Sequence, residues 1–133
     1  MIGPVDHVGI AVRRLDAALV TYRSMGLAPE SIEALVSQGV RAAFLPAGDV
    51  SIELLESLTP DGVIARFLER RGEGLHHVAF RVPDIRGELE RLREAGMRLV
   101  DEEPRVGARG RLIAFVHPSS VHGVLVELVQ ERR

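Results

Sequence analysis

Cysteine, lysine, asparagine and tryptophan are all absent from this 133-residue chain. Without cysteine there are no disulfides, no thiolate metal sites and no thiol nucleophile. All 17 basic side chains are arginine. Aromatic residues are scarce, at one Tyr and four Phe, which leaves little to line an aromatic binding cleft. Long apolar runs are missing too: none approaches the roughly 18 to 20 residues that cross a bilayer. The opening stretch MIGPVDHVGI has neither the basic region nor the cleavage site of a signal peptide, so a cytoplasmic protein is expected. Net charge is −2 with arginines scattered among acids, so neither nucleic acid nor a membrane is an expected partner. What remains, 46% hydrophobic and 27% charged, is the composition of an ordinary globular protein. The length suits one domain over residues 1–133.

That domain is built from a repeat. His7 and His77 open two near-copies of one motif, DHVGIAV and HHVAFRV, 70 residues apart. The same offset of 70 relates Gly26 to Gly96. It grows to 71 for Ala43-Phe44 against Ala114-Phe115, 72 for Pro46 against Pro118, and 74 for Glu53 against Glu127. Slow drift of this kind is what loop insertions leave after duplication.

Each copy begins with an alternating strand. Val8, Ile10 and Val12 share one face, and His7, Gly9 and Ala11 the other. In the second copy Val78, Phe80 and Val82 oppose His77, Ala79 and Arg81. A helix follows each strand: Leu15, Ala18, Leu19, Tyr22 and Met25 before Gly26, then Ile85, Leu89 and Leu92 before Gly96, with Asp84 as N-cap. Shorter strands are expected at about 32–37, 40–46 and 50–56, and again at 98–102, 111–117 and 123–130, with a connecting helix from Pro60-Asp61 to Gly72. The predicted class is therefore α+β, two βαβββ modules at about 5–56 and 75–130 whose eight strands form a curved sheet around one cleft. Open sheet edges need cover, so a homodimer is expected.

Chemistry concentrates in four residues. Glu127 lies in VLVELV and Glu53 in SIELL, strands apolar enough to be buried. A buried carboxylate is costly unless paired or metal-bound. The plain alternative is an ion pair with an arginine such as Arg81, on the His77 face. Yet both glutamates occupy matched repeat positions, each with a matched histidine, so His7, Glu53, His77 and Glu127 are expected to bind one divalent metal ion per chain. Two imidazoles and two carboxylates suit Co, Ni, Mn, Zn or Fe without distinguishing them. His76 has the opposite parity to His77, and His117 and His122 have no counterpart in the first copy; none is assigned to the site. The loop DEEPRVGARGR offers Arg105, Arg109 and Arg111 to a substrate carboxylate or phosphate. Gly72-Glu73-Gly74 precedes a strand, so it is no phosphate loop.

With these residues in place, the chain resembles the vicinal-oxygen-chelate superfamily of glyoxalase I, extradiol dioxygenases and methylmalonyl-CoA epimerases. The epimerase-like segments are DHVGIAV, SQGVRAAFLPAGDVSIELLESL, IARFLERRGEGLHHVAFRVPDI, DEEPRVGARGRLIAFVHPSS and HGVLVEL, in order and nearly end to end. The resemblance places the family's metal ligands on His7, Glu53, His77 and Glu127, the set already reached from the repeat. It implies epimerisation of (2R)- and (2S)-methylmalonyl-CoA through a metal-chelated enolate, a small-molecule acyl-CoA partner, and Glu127 as a proton-transferring base. One departure stands out: some epimerases carry a second catalytic glutamate where this chain has Ala42. His117, Glu102, Glu103 or a metal-bound water are then the candidates for the second proton carrier, and Gln38 cannot serve. The alternatives are a glyoxalase I-like lyase acting on a thiol hemithioacetal and a non-catalytic small-molecule-binding protein of the same fold. The first tends to carry Asp-Pro-Asp-Gly where His117-Pro118-Ser119-Ser120 stands, and the second an aromatic-lined cleft.

Overall fold

Leu15 and Leu19 lie one helical turn apart, both buried, and with Ala18 and Tyr22 they seat helix α1 (Leu15–Ser24) on a sheet. Gly26, at φ +91°, ends that helix in the left-handed conformation that L side chains resist. The computed structural model describes residues 1–131 and divides into two compact units, His7–His76 and Met1–Asp6 with the chain from His77 onward.

In the first unit, strand β1 (Val5–Ala11) enters at His7 and is followed by α1, then by β2 (Ser31–Leu35), β3 (Val40–Ala47) and β4 (Val50–Ser57). The strands lie in the order β2-β3-β4-β1, antiparallel except for the parallel β4-β1 pair. Val12, Leu15, Leu19, Ala43, Leu45 and Leu54 fill the space between α1 and one face of the strands. Helix α2 (Val63–Arg71) buries Ile64 and Leu68, and Gly72 at φ +74° ends it.

The second unit repeats the plan. Strand β5 (Gly74–Arg81) enters at His77, helix α3 (Ile85–Glu94) follows, then β6 (Arg105–Val106), β7 (Leu112–Val116) and β8 (Val126–Gln130). Their order is β5-β8-β7-β6, with β5-β8 the parallel pair. Gly3 N donates to Arg81 O at 2.8 Å and Arg81 N to Pro4 O at 2.9 Å, which ties the first residues to this unit. Ile85, Leu89 and Leu92 of α3 pack on Ala114, Val116, Val126 and Leu128. Among the described residues, eight strands and three α-helices in two βαβββ modules are the α+β, glyoxalase-like class expected from the repeat.

The strand expected at 98–102 differs from expectation. Residues 98–102 make only an isolated bridge, Leu99 to Val116, and the strand on that side of β7 is the short β6. The backbone N–H of Phe115 is taken by the Asp101 carboxylate at 2.8 Å, and Val100 N and Asp101 N both fall on Phe115 O. A side chain that accepts the ladder's donor interrupts the ladder, and Pro104 has no N–H with which to resume it.

Candidate metal centre

Each unit carries one histidine–glutamate pair, built the same way. In the first, β1 and β4 run parallel with Gly9 opposite Glu53, so no side chain stands between Glu53 and His7. His7 Nε2 lies 3.3 Å from Glu53 Oε1, with the residues 2% and 5% exposed. In the second, Ala79 stands opposite Glu127, and His77 Nε2 lies 3.0 Å from Glu127 Oε1. The correspondence extends to a phenylalanine. Phe44, the cross-strand neighbour of Glu53, meets the His7 ring edge-on at 5.6 Å, and Phe115, the neighbour of Glu127, meets His77 at 5.8 Å. These rings keep water from one side of each imidazole and fix its orientation. The repeat had paired Ala43-Phe44 with Ala114-Phe115 but gave no reason for the match; contact with the histidines supplies it.

The spacing within each pair suits ligands of one ion. Nitrogen and oxygen ligands sit about 2.1 Å from a transition metal, so two of them at angles of 90° to 105° are about 3.0 to 3.3 Å apart. Two imidazole nitrogens and two carboxylate oxygens, all buried, form a set that could hold a metal ion. Arg81, the expected rival partner for a buried carboxylate, donates through Nε to Asp6 at 3.0 Å.

The other candidates find separate roles. His76 packs edge-on to Phe67 at 5.0 Å. His117 Nδ1 accepts from Ser119 N at 3.0 Å and caps the turn Pro118–Ser120. His122 is an exposed turn residue at φ +56°. Glu102 pairs with Arg93 and Glu103 with Arg86, each at 2.8 Å and exposed, so both carboxylates brace the outer surface of α3. The arginine loop divides as well. Arg111 is no loop cation but a buried residue, donating to both Asp6 oxygens at 2.8 Å and to Glu131 at 3.2 Å. Its burial works against the charge, yet the Asp6 and Glu131 carboxylates together outweigh that and hold the guanidinium above its ordinary value. Arg105 bonds Asp101 at 3.1 Å and lies over the Phe115 ring at 5.5 Å, beside the phenylalanine that supports His77.

Comparison with known proteins adds to this geometry. Residues 6–115 match the model of the Glyoxalase/Bleomycin resistance protein/Dioxygenase superfamily. Ethylmalonyl-CoA/methylmalonyl-CoA epimerase of Cereibacter sphaeroides is 40% identical over 98% of this chain and 99% of its own length. The crystal structure of methylmalonyl-CoA epimerase from Mycobacterium tuberculosis matches with a TM-score of 0.93 at 41% identity, covering 98% of this chain and 89% of that one. A variant of the Streptomyces coelicolor methylmalonyl-CoA epimerase, in complex with 2-nitronate-propionyl-CoA, matches with a TM-score of 0.95 at 37% identity, covering 98% and 96%. The chain belongs to the glyoxalase/bleomycin resistance/dioxygenase superfamily and, within it, to the methylmalonyl-CoA epimerase family.

Proposed function

We propose that this protein interconverts (2R)- and (2S)-methylmalonyl-CoA, with one divalent metal ion held by His7, Glu53, His77 and Glu127. The observation that carries the proposal is the pair of buried histidine–glutamate couples at 3.3 and 3.0 Å, in a chain whose relatives include epimerases of this substrate. Bound there, a divalent cation would act as a Lewis acid toward the oxygens on which negative charge develops.

The protein's own groups do the rest. The C2 hydrogen of methylmalonyl-CoA lies between a thioester and a carboxylate, so its loss leaves a delocalised enolate. Glu127, held beside His77 on β8, takes that proton, and the C–H electron pair passes toward the thioester oxygen. Phe44 and Phe115 hold the imidazoles in place and keep water from their flanks. Arg105, over the ring that adjoins His77, is a cation that would meet an anionic substrate there. Co, Ni, Mn, Zn and Fe all suit this donor set. The protein acts, in this proposal, as a cytoplasmic homodimer; light scattering and cell fractionation test those two points. Among the described residues no helix is long and apolar enough to cross a membrane.

The decisive experiment follows exchange of the C2 proton of methylmalonyl-CoA in deuterated water, with and without added metal. Metal-dependent exchange accompanied by inversion is the expected result. Metal-loaded protein that exchanges neither epimer but processes a glutathione hemithioacetal transfers the assignment to the lyase.

A further inference from the structure

Inverting a carbon centre through a planar intermediate calls for a proton carrier on each face, and Glu127 supplies one. We infer that Glu33 of β2 is the other; the inference rests on the epimerase function proposed above. Cross-strand partners share a face of the sheet, so the register settles which residues stand on the face of the His7–Glu53 pair. One row runs Gly9, Glu53, Phe44 and Ser31; the next runs Ala11, Leu55, Ala42 and Glu33. Among the described strand residues on that face of the first unit, Glu53 and Glu33 are the carboxylates.

Strand β2 is patterned against the usual rule. Ile32, 45% exposed, and Ala34 turn to the outer side, whereas Ser31 and Glu33 are half-buried on the side of the metal ligands. Apart from Leu35, half-buried on the same side as Glu33, this edge strand turns its polar residues toward the covered side and its apolar ones toward solvent, a departure from binary patterning of the kind that marks function. Ser31 supplies a second sign. Its Oγ is buried with no hydrogen-bond partner, so a polar atom of a ligand beside Glu33 would satisfy it. Between Glu33 and Leu55 the neighbouring strand offers only the methyl of Ala42, itself 0% exposed, which leaves the glutamate room. Strands β2 and β4 are two spacings apart, about 10 Å, enough for a small acyl group between Glu33 and Glu53.

The proton balance is simple. Glu127 takes the C2 proton while the C–H pair enters the enolate. Protonated Glu33 then gives its proton to the opposite face, and that electron pair forms the new C–H bond. Glu127 ends protonated and Glu33 ionised, and the reverse reaction or exchange with solvent resets both.

The test is Glu33→Gln, which keeps the size and removes the transferable proton, assayed as metal-loaded protein on each epimer separately in deuterated water. Inversion should fall at least about 100-fold, within the range for loss of a general acid or base. The epimer whose hydrogen faces Glu127 should still take deuterium at C2 with retention. Inversion at the wild-type rate overturns the role, as does a parallel loss of inversion and exchange, the mark of a merely structural residue. Wild-type protein assayed alongside separates the two ideas, since its failure to exchange either epimer overturns the epimerase function itself.

Discussion

A guanidinium and an imidazole solve the problem of a buried carboxylate differently, and this protein uses both. Asp6 meets Arg111 and Arg81, and Glu88 meets Arg91, so these acids have permanent cations beside them. Glu53 and Glu127 stand instead against imidazole Nε2 atoms, which offer a lone pair when neutral. The first arrangement holds structure together and the second is suited to receive a metal. Arg111→Ala should therefore be among the most damaging substitutions away from the metal ligands. It strips a buried Asp6 of its two-pronged partner, a loss toward the lower end of the roughly 3 to 5 kcal/mol for broken buried pairs because Arg81 still reaches Asp6. Urea unfolding measures it, and an Asp6→Ala/Arg111→Ala double variant should recover part of the loss; full stability in the single variant would refute the assignment. The four candidate ligands could be picked out in the sequence because duplication printed one His and one Glu in each half. Glu33 was not, since its bearing on the site comes from lying opposite Ala42 across a ladder, and strand register is not written in spacing along the chain.

At the scale of an element, helix α3 illustrates what local sequence does specify. Asp84 was recognisable as its N-cap, and its carboxylate accepts from Gly87 N at 3.2 Å. Less visible was Glu88, one turn further on, which is buried although it is charged. Hydrogen bonds from Arg91 at 3.1 Å hold its pKa below the ordinary 4.5 against the opposing effect of burial, and the Met1 ammonium at 3.2 Å assists. A carboxylate with a depressed folded pKa stabilises the fold above its unfolded value, and that contribution fades as pH falls through the folded value. The thermal midpoint should accordingly drop as pH is lowered from 5 toward 3, and Glu88→Gln should flatten part of that slope while lowering stability near neutrality. An unchanged slope in the variant would show that other acids govern the acid limb. The strands were less faithfully legible than the helices. Residues 98–102 alternate suitably, but Asp101 intercepts the Phe115 N–H, and pairing moves past Pro104 to Arg105–Val106. Likewise β8 begins at Val126 instead of near 123, because Gly123, at φ +92°, belongs to a turn whose N–H bonds Pro118 O. Periodicity detects an amphipathic face; it does not register a side chain that competes for a backbone donor.

For the whole molecule, the metal proposal has a consequence that activity assays do not reach. His7 and Glu53 belong to one compact unit, His77 and Glu127 to the other. If the four serve a single ion, metal binding must fail when either couple is broken, even though the other couple keeps its 3.0 or 3.3 Å geometry. Two independent sites would behave otherwise, each variant retaining an ion and part of the stabilisation. Free metal at 100 times its dissociation constant stabilises a folded protein by about 2.7 kcal/mol. For a chain of this size that corresponds to a rise in Tm of roughly 8 to 12 °C. Wild-type protein should thus show one ion per chain by elemental analysis and a rise of that order on adding Co, Ni, Mn or Zn, reversed by chelation. His7→Ala and His77→Ala should each lose both the ion and the shift. Retention of an ion by either variant, with half the stabilisation surviving, would divide the centre in two and remove the shared cation from the proposed chemistry.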